Sequence, residues 1–364
     1  MKTLLFVAIA AILLYAQPTF AQPWQIAKGP LMTRWAKDVS PKNALPEYPR
    51  PQMVRSQWQS LNGIWQYQPG TEGDVTPAGK NLSSEILVPY PVESALSGVM
   101  EPHERLWYRC SFSVPTAWKG RRLMLNFGAV DYEAQVFVNG KSVGTHTGGY
   151  ESFSYDISPF LKGDGPQELI VRVFDTTGRG GQPRGKQTTT PGGVMYASTT
   201  GIWQTVWLEP VAKTSIASLH IVPDIDKGVV NFTVSAPAAT AKTNAIVQIR
   251  DGKNVVRRVT VKPNVPISIP IPNAKLWSPD SPFLYDVNVT LQNGKTAVDR
   301  VSSYFGMRKI SLGKVGGFQK MLLNNKFVFQ IGPLDQGFWP DGIYTSRATA
   351  TDAEAYIHDQ RKLR

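Results

Sequence analysis

The 364-residue sequence predicts a mainly β protein built from two successive β units, followed by a strand–loop–helix segment. Three observations carry this. Short aromatic and β-branched runs recur from Leu61 to Phe305, separated by turn residues. The chain holds 31 Gly and 28 Pro, which punctuate strands and interrupt helices. Asn-Gly and Asp-Gly pairs stand between apolar runs, where a two-residue hairpin requires positive φ.

The elements follow in chain order. Residues 1–21 read as a secretory signal peptide: Lys2 is the charged head, Leu4 to Ala16 the apolar run, and Thr19-Phe20-Ala21 the small-residue cleavage site. The run is shorter than the ~20 residues a membrane span needs. The expected product is exported, periplasmic or extracellular, with no membrane partner after cleavage. Residues 22–60 are irregular, because Pro41, Pro46, Pro49 and Pro51 disfavour helix and central strand. Strands are expected at Leu106 to Val114, Arg122 to Phe127, Glu133 to Val138, Glu168 to Phe174 and Ile202 to Leu208, with Asn139-Gly140 as a hairpin turn. Between the last two strands, Thr176 to Thr200 shows no period and six Gly, as a functional loop would.

A second unit opens near Val211. Its seven strand candidates are 216–222, 229–235, 245–250, 255–261, 266–271, 283–291 and 297–305, with Asp251-Gly252 and Asn293-Gly294 as turns. That count matches an immunoglobulin-like sandwich. Met321 to Ile331 then reads as a strand turning at Asn324-Asn325. A polar-aromatic loop follows, and a helix from Thr351, capped with Glu354 three residues on. One β/α unit cannot bury its own apolar faces.

Composition narrows the chemistry. One Cys excludes an intrachain disulfide, and four scattered His give no support to a zinc site; no metal-ligating residue is assigned, no cofactor is required, and the metal requirement stays open. The net charge is +12, yet Arg121-Arg122 and Arg257-Arg258 are isolated pairs. No basic-aromatic stripe marks a nucleic-acid binder, so no nucleic-acid partner is expected. Asp131 and Glu133, two apart before a strand, read as turn and edge charges. Trp203, Thr205 and Trp207 read as one strand face in the core, and His146 as a loop donor.

The strings Leu61-Asn62-Gly63-Ile64-Trp65, Val88-Pro89-Tyr90-Pro91-Val92-Glu93-Ser94, Trp107-Tyr108-Arg109, Phe137-Val138-Asn139-Gly140, Gly148-Gly149-Tyr150 and Gly201-Ile202-Trp203-Gln204 occur in this order. They are followed by Leu276-Trp277-Ser278-Pro279 and Tyr304-Phe305-Gly306-Met307-Arg308. Order and spacing together resemble glycoside hydrolase family 2, which holds β-galactosidases, β-glucuronidases and β-mannosidases. The resemblance implies a jelly-roll sugar-binding domain over 22–210, the immunoglobulin-like domain over 211–309, and the truncated start of a (β/α)₈ catalytic barrel over 310–364. It implies a retaining glycosidase whose two catalytic Glu lie beyond Arg364, so no catalytic residue is assigned and this chain alone is expected to be inactive. The implied partner is a carbohydrate, acidic sugars included; the oligomeric state stays open. A non-catalytic carbohydrate-binding module is the alternative.

Candidate sugar contacts are Asp335, Gln336 and Trp339, after the first barrel strand, where such active sites form. For Trp339 two readings stand: stacking on a sugar, or packing under the barrel mouth. In some relatives the loop before Gly201 carries an Asp near position 195; Met195 stands there here. Arg184 and Lys186 are candidates to meet a sugar carboxylate, against the plainer reading of a solvated loop.

Overall fold

The computed structural model describes residues 23–332, 334 and 336–346. The expected signal peptide, the helix from Thr351 and candidate Asp335 lie outside the described residues. Among the described residues, regular structure is strand, with five three-residue 3-10 helices.

The first unit is two packed antiparallel sheets. One has six strands in the order Ser84–Val88, Gly63–Pro69, Arg105–Phe112, Gln167–Phe174, Glu133–Val138 and Lys141–Thr147. The other has four: Gln59–Ser60, Val206–Val211, Arg122–Phe127 and Phe153–Asp156. Alternate residues point inward, so Trp65 and Tyr67 meet Leu106, Tyr108, Leu169 and Val171 in one core with Leu125, Phe127 and Leu208. The Asn139-Gly140 hairpin forms as expected, with φ of +51° and +76° and Val138 paired to Lys141.

The run from Ile202 to Leu208 is not one strand. Gly201–Ile202 pairs with Val130–Asp131, and Val206–Val211 starts a separate strand between Gln59–Ser60 and Arg122–Phe127. Trp203 therefore leaves the face that Trp207 occupies.

All seven strand candidates of the second unit are present. Ser218–Asp224, Val229–Ser235 and Ile267–Pro270 form one sheet. Asn254–Val261, Thr243–Asp251, Tyr285–Asn293 and Thr296–Phe305 form the other. Val230, Phe232, Val247, Ile249, Val287 and Val289 fill the space between them. Two turns sit one residue later than expected. Asp251 and Asn293 remain paired, and Gly252 and Gly294 take the first turn position with φ of +56° and +60°.

The units are pinned together by charge. The buried Arg55 guanidinium pairs with Asp299, donates to Ile216 O at 2.7 Å, and lies 3.3 Å from Glu209. Glu209 also accepts from Arg50, Tyr48 and Trp207.

The expected strand from Met321 to Ile331 is corrected. Ile310–Val315, Phe318–Leu323 and Lys326–Phe327 form a three-stranded antiparallel meander. Asn324 and Asn325 make the second turn at φ of +51° and +64°. Beyond Phe327 the described residues hold no strand. The Asn324-Asn325 turn forms as expected; the first hairpin, which turns at Gly316-Gly317 with φ of +60° and +84°, does not follow from the apolar run.

Candidate functional site

The long loop 176–200 returns onto the first sandwich, and three carboxylates beneath it hold it there. Asp175, at its entrance, accepts from the backbone N–H of Thr177 at 2.6 Å, from Gln182 Nε2, and from Thr200 Oγ1 at 3.1 Å. One carboxylate thus ties the start, middle and end of the loop. Glu93 Oε2 accepts the Thr200 N–H at 2.9 Å, and its Oε1 is sealed from solvent although the residue as a whole is only half-buried. Asp131 is 1% exposed and accepts from Gln187 Nε2 at 2.9 Å. The edge-charge reading of Asp131 is therefore corrected: its strand end runs under the loop, and its carboxylate points inward. Glu133, two residues on, is exposed.

Burial drives the titration of this cluster. Glu93 is pushed up to about 7 by desolvation, against the lowering effect of the Thr200 hydrogen bonds. Asp131 is also pushed up to about 7, by desolvation first and by the nearby Asp175 and Glu93 charges, with the Gln187 hydrogen bond opposing. Two glycines make room for the cluster. A Cβ on Gly149 would lie 2.3 Å from Asp131 Oδ1, and one on Gly201, at φ +94°, would lie 2.0 Å from the Tyr108 hydroxyl.

Gln187 carries the network outward. Its Nε2 donates to the Tyr150 hydroxyl at 3.0 Å as well as to Asp131, and its Oε1 accepts the Thr199 N–H at 2.6 Å. The Tyr150 hydroxyl lies 3.2 Å from that of Tyr344. An aromatic rim surrounds this point. Trp203 and Tyr344 ring centroids are 5.2 Å apart, Phe338 and Tyr344 4.8 Å, and Tyr196 stacks on Phe338 at 4.1 Å. Thr345 Oγ1 donates to Pro89 O and Trp203 O, and Asp341 Oδ2 accepts from the Thr33 N–H and hydroxyl at 2.7 Å. The chain after the second sandwich thus returns to the loops of the first.

The sequence candidates separate in space. Arg184 is half-buried and Lys186 exposed on loop 176–200. Between them Gly185 comes beside Tyr344, whose hydroxyl is 3.8 Å from the position of a Cβ there. Gln336 is exposed, and Trp339 packs at 5.5 Å on Trp35. His146 is on the strand Lys141–Thr147, stacked at 4.1 Å on Phe153, and not a loop donor. Tyr150, Gln187, Trp203 and Tyr344 were missed as a site. Trp203 and Tyr150 lay in quoted motifs, whereas nothing local tied Gln187 or Tyr344 to them.

Chemically, this is an aromatic and hydroxyl-bearing rim over an inward-pointing acidic floor. The three carboxylates point into the fold, so they do not form an opposed pair across an open cleft, as glycosidic cleavage needs.

Residues 65–181 match the family model "Glycosyl hydrolases family 2, sugar binding domain", and residues 214–308 match "Glycosyl hydrolases family 2". The chain is similar to beta-galactosidase BoGH2A of Bacteroides ovatus, 29% identical over 239 residues, covering 58% of this chain and 25% of the relative. It is similar to a beta-glucuronidase of Paenibacillus borealis, 24% identical over 307 residues, covering 78% of this chain and 50% of the relative. In fold it is similar to the β-glucuronidase of Ruminococcus gnavus in complex with D-glucuronic acid, with a TM-score of 0.67 at 18% identity. That match covers 82% of this chain and 54% of the other. The chain spans at most about half the length of these relatives.

Proposed function

Since the chain belongs to glycosyl hydrolases family 2, we propose that it is the non-catalytic front part of an exported retaining β-glycosidase. The whole enzyme hydrolyses terminal β-O-glycosidic bonds. The first sandwich is the jelly-roll sugar-binding domain, the second the immunoglobulin-like spacer, and residues from 310 onward open the (β/α)₈ barrel that holds both catalytic Glu.

One observation carries this reading. The segment 310–334 exposes an apolar surface that a finished domain would bury. Ile310 is 64% exposed, Leu312 68%, Phe318 72%, Phe329 72%, Ile331 64% and Leu334 83%. By the strand register Ile310, Leu312 and Met321 share one face of the meander, and Val315, Phe318 and Phe327 the other. Both faces therefore call for more protein. Thr345, anchored at Pro89 and Trp203, brings the segment after the second sandwich back beside the aromatic rim. Tyr150, Trp203 and Tyr344 then form one wall of the sugar site, and Arg184 and Lys186 stand ready for the carboxylate of an acidic sugar.

The test is to extend the reading frame past Arg364 and assay both products on chromogenic β-galactoside, β-glucuronide and β-mannoside. The extended protein is expected to turn over one of them and the present chain none. An extended protein that binds oligosaccharide with no turnover would replace this reading with a carbohydrate-binding module.

A further inference from the structure

A second polar site lies where the two sandwiches meet, away from the aromatic rim. It is a cleft of about 390 Å³. Its walls are Arg55, Ser56 and Gln57 from the linker, Arg121 and Pro210 from the first sandwich, and Ala297 to Arg300 from the second. Its size falls within the roughly 300–1,000 Å³ of ligand pockets, which favour domain junctions.

The charge within it is unbalanced. Arg55, 6% exposed, is held by Asp299 and Glu209, so those carboxylates are already engaged. Glu209 also pairs with Arg50. Arg121 and Arg300 are exposed, and among the described residues neither guanidinium has a carboxylate partner. Other arginines of the same sandwiches are paired, as Arg109 is with Glu168 and Arg122 with Asp156. Two exposed guanidinium groups without a carboxylate partner among the described residues thus line one polar cleft together with the buried Arg55. Guanidinium binds planar oxyanions through paired N–H donors.

We propose that this cleft binds an oxyanion group carried on a polysaccharide, held between Arg121 and Arg300. The exposed Ser56 hydroxyl and Gln57 amide line the same cleft and suit a neighbouring hydroxyl-rich residue of that chain. The cleft is much larger than an inorganic anion requires. The proposal does not depend on the hydrolase reading, since the cleft is formed entirely by the linker and the two sandwiches.

Isothermal titration of the chain with polygalacturonate, dextran sulfate, uncharged dextran and inorganic phosphate tests it. At least one of the two charged polymers is expected to bind, weakening with salt. Arg121→Ala/Arg300→Ala is expected to weaken it about tenfold or more, as loss of two charge-assisted contacts requires. Arg257→Ala/Arg258→Ala, on a strand of the second sandwich outside the cleft, is expected to leave it unchanged. Arg121 and Arg300 are exposed, so the melting temperature serves as a folding control. Equal weakening by both double variants overturns the site in favour of diffuse surface charge. Binding of phosphate as tight as that of the polymer, or no binding of either charged polymer, also overturns it.

Discussion

Glu93→Gln isolates the cost of the buried acid beneath loop 176–200. The Glu93 carboxyl ordinarily titrates at 4.5 and here is pushed up to about 7. The folded state therefore holds a proton that the unfolded chain has released. Between those two values the native state binds more protons than the unfolded one, so stability falls as pH rises. It is fully present below 4.5 and lost through about 7. A displacement of roughly 2.5 pH units at about 1.4 kcal/mol each is worth about 3 kcal/mol. Asp131, also raised to about 7, adds in the same direction. Gln is neutral at every pH and still accepts the Thr200 N–H. The variant is expected to match the parent at about pH 4 and to exceed it by up to about 3 kcal/mol at pH 8.5. At about 2–4 °C per kcal/mol for a domain of this size, thermal melts followed by circular dichroism will resolve the difference. Parallel pH profiles for parent and variant would refute the reasoning, because Glu93 would then titrate alike in the folded and unfolded states.

Other consequences follow from separate parts of the fold. Arg55→Met leaves Asp299 and Glu209 with a lost partner at the sandwich junction, so calorimetry should show about 3–5 kcal/mol of destabilisation; a loss under about 1 kcal/mol contradicts the pin. The Cys110 thiol is pushed up by burial, so Ellman's reagent should react with it only after denaturant is added. Fast labelling of the native chain would refute that. Limited proteolysis should cut first within 310–334, where the apolar meander is exposed, and an extended protein should resist there. Gln187→Leu removes the link among Asp131, Tyr150 and Thr199, and should raise backbone hydrogen exchange across 187–199 with little change in the second sandwich.

The second sandwich was legible strand by strand, because its strands alternate and three of its turns carry a glycine, Gly228, Gly252 and Gly294. Only the turn positions slipped by one: Asp251 and Asn293 keep their ladder pairing, and the following glycine takes the positive φ. The rim was legible only in part. Gly148-Gly149-Tyr150 and Gly201-Ile202-Trp203 announce a special backbone, and the structure shows why, with Asp131 and Tyr108 crowding the two glycines. The inward turn of Asp131 was not legible, since its burial comes from Gln187, 56 residues later. Nor was the first hairpin of the meander, Ile310–Val315 with Phe318–Leu323, although the Asn324-Asn325 turn after it was. Contact between distant segments sets the first outcome, and the second rests on the local turn at Gly316-Gly317.

The claim that this chain builds a wall of a glycosidase site without the groups that cleave the bond is tested most directly by turnover. The purified chain, incubated with nitrophenyl β-galactoside, β-glucuronide and β-mannoside, is predicted to release nitrophenol no faster than a buffer blank. Sustained release that tracks protein concentration and is lost on heating would contradict it, and would require a pair of catalytic carboxylates within these 364 residues.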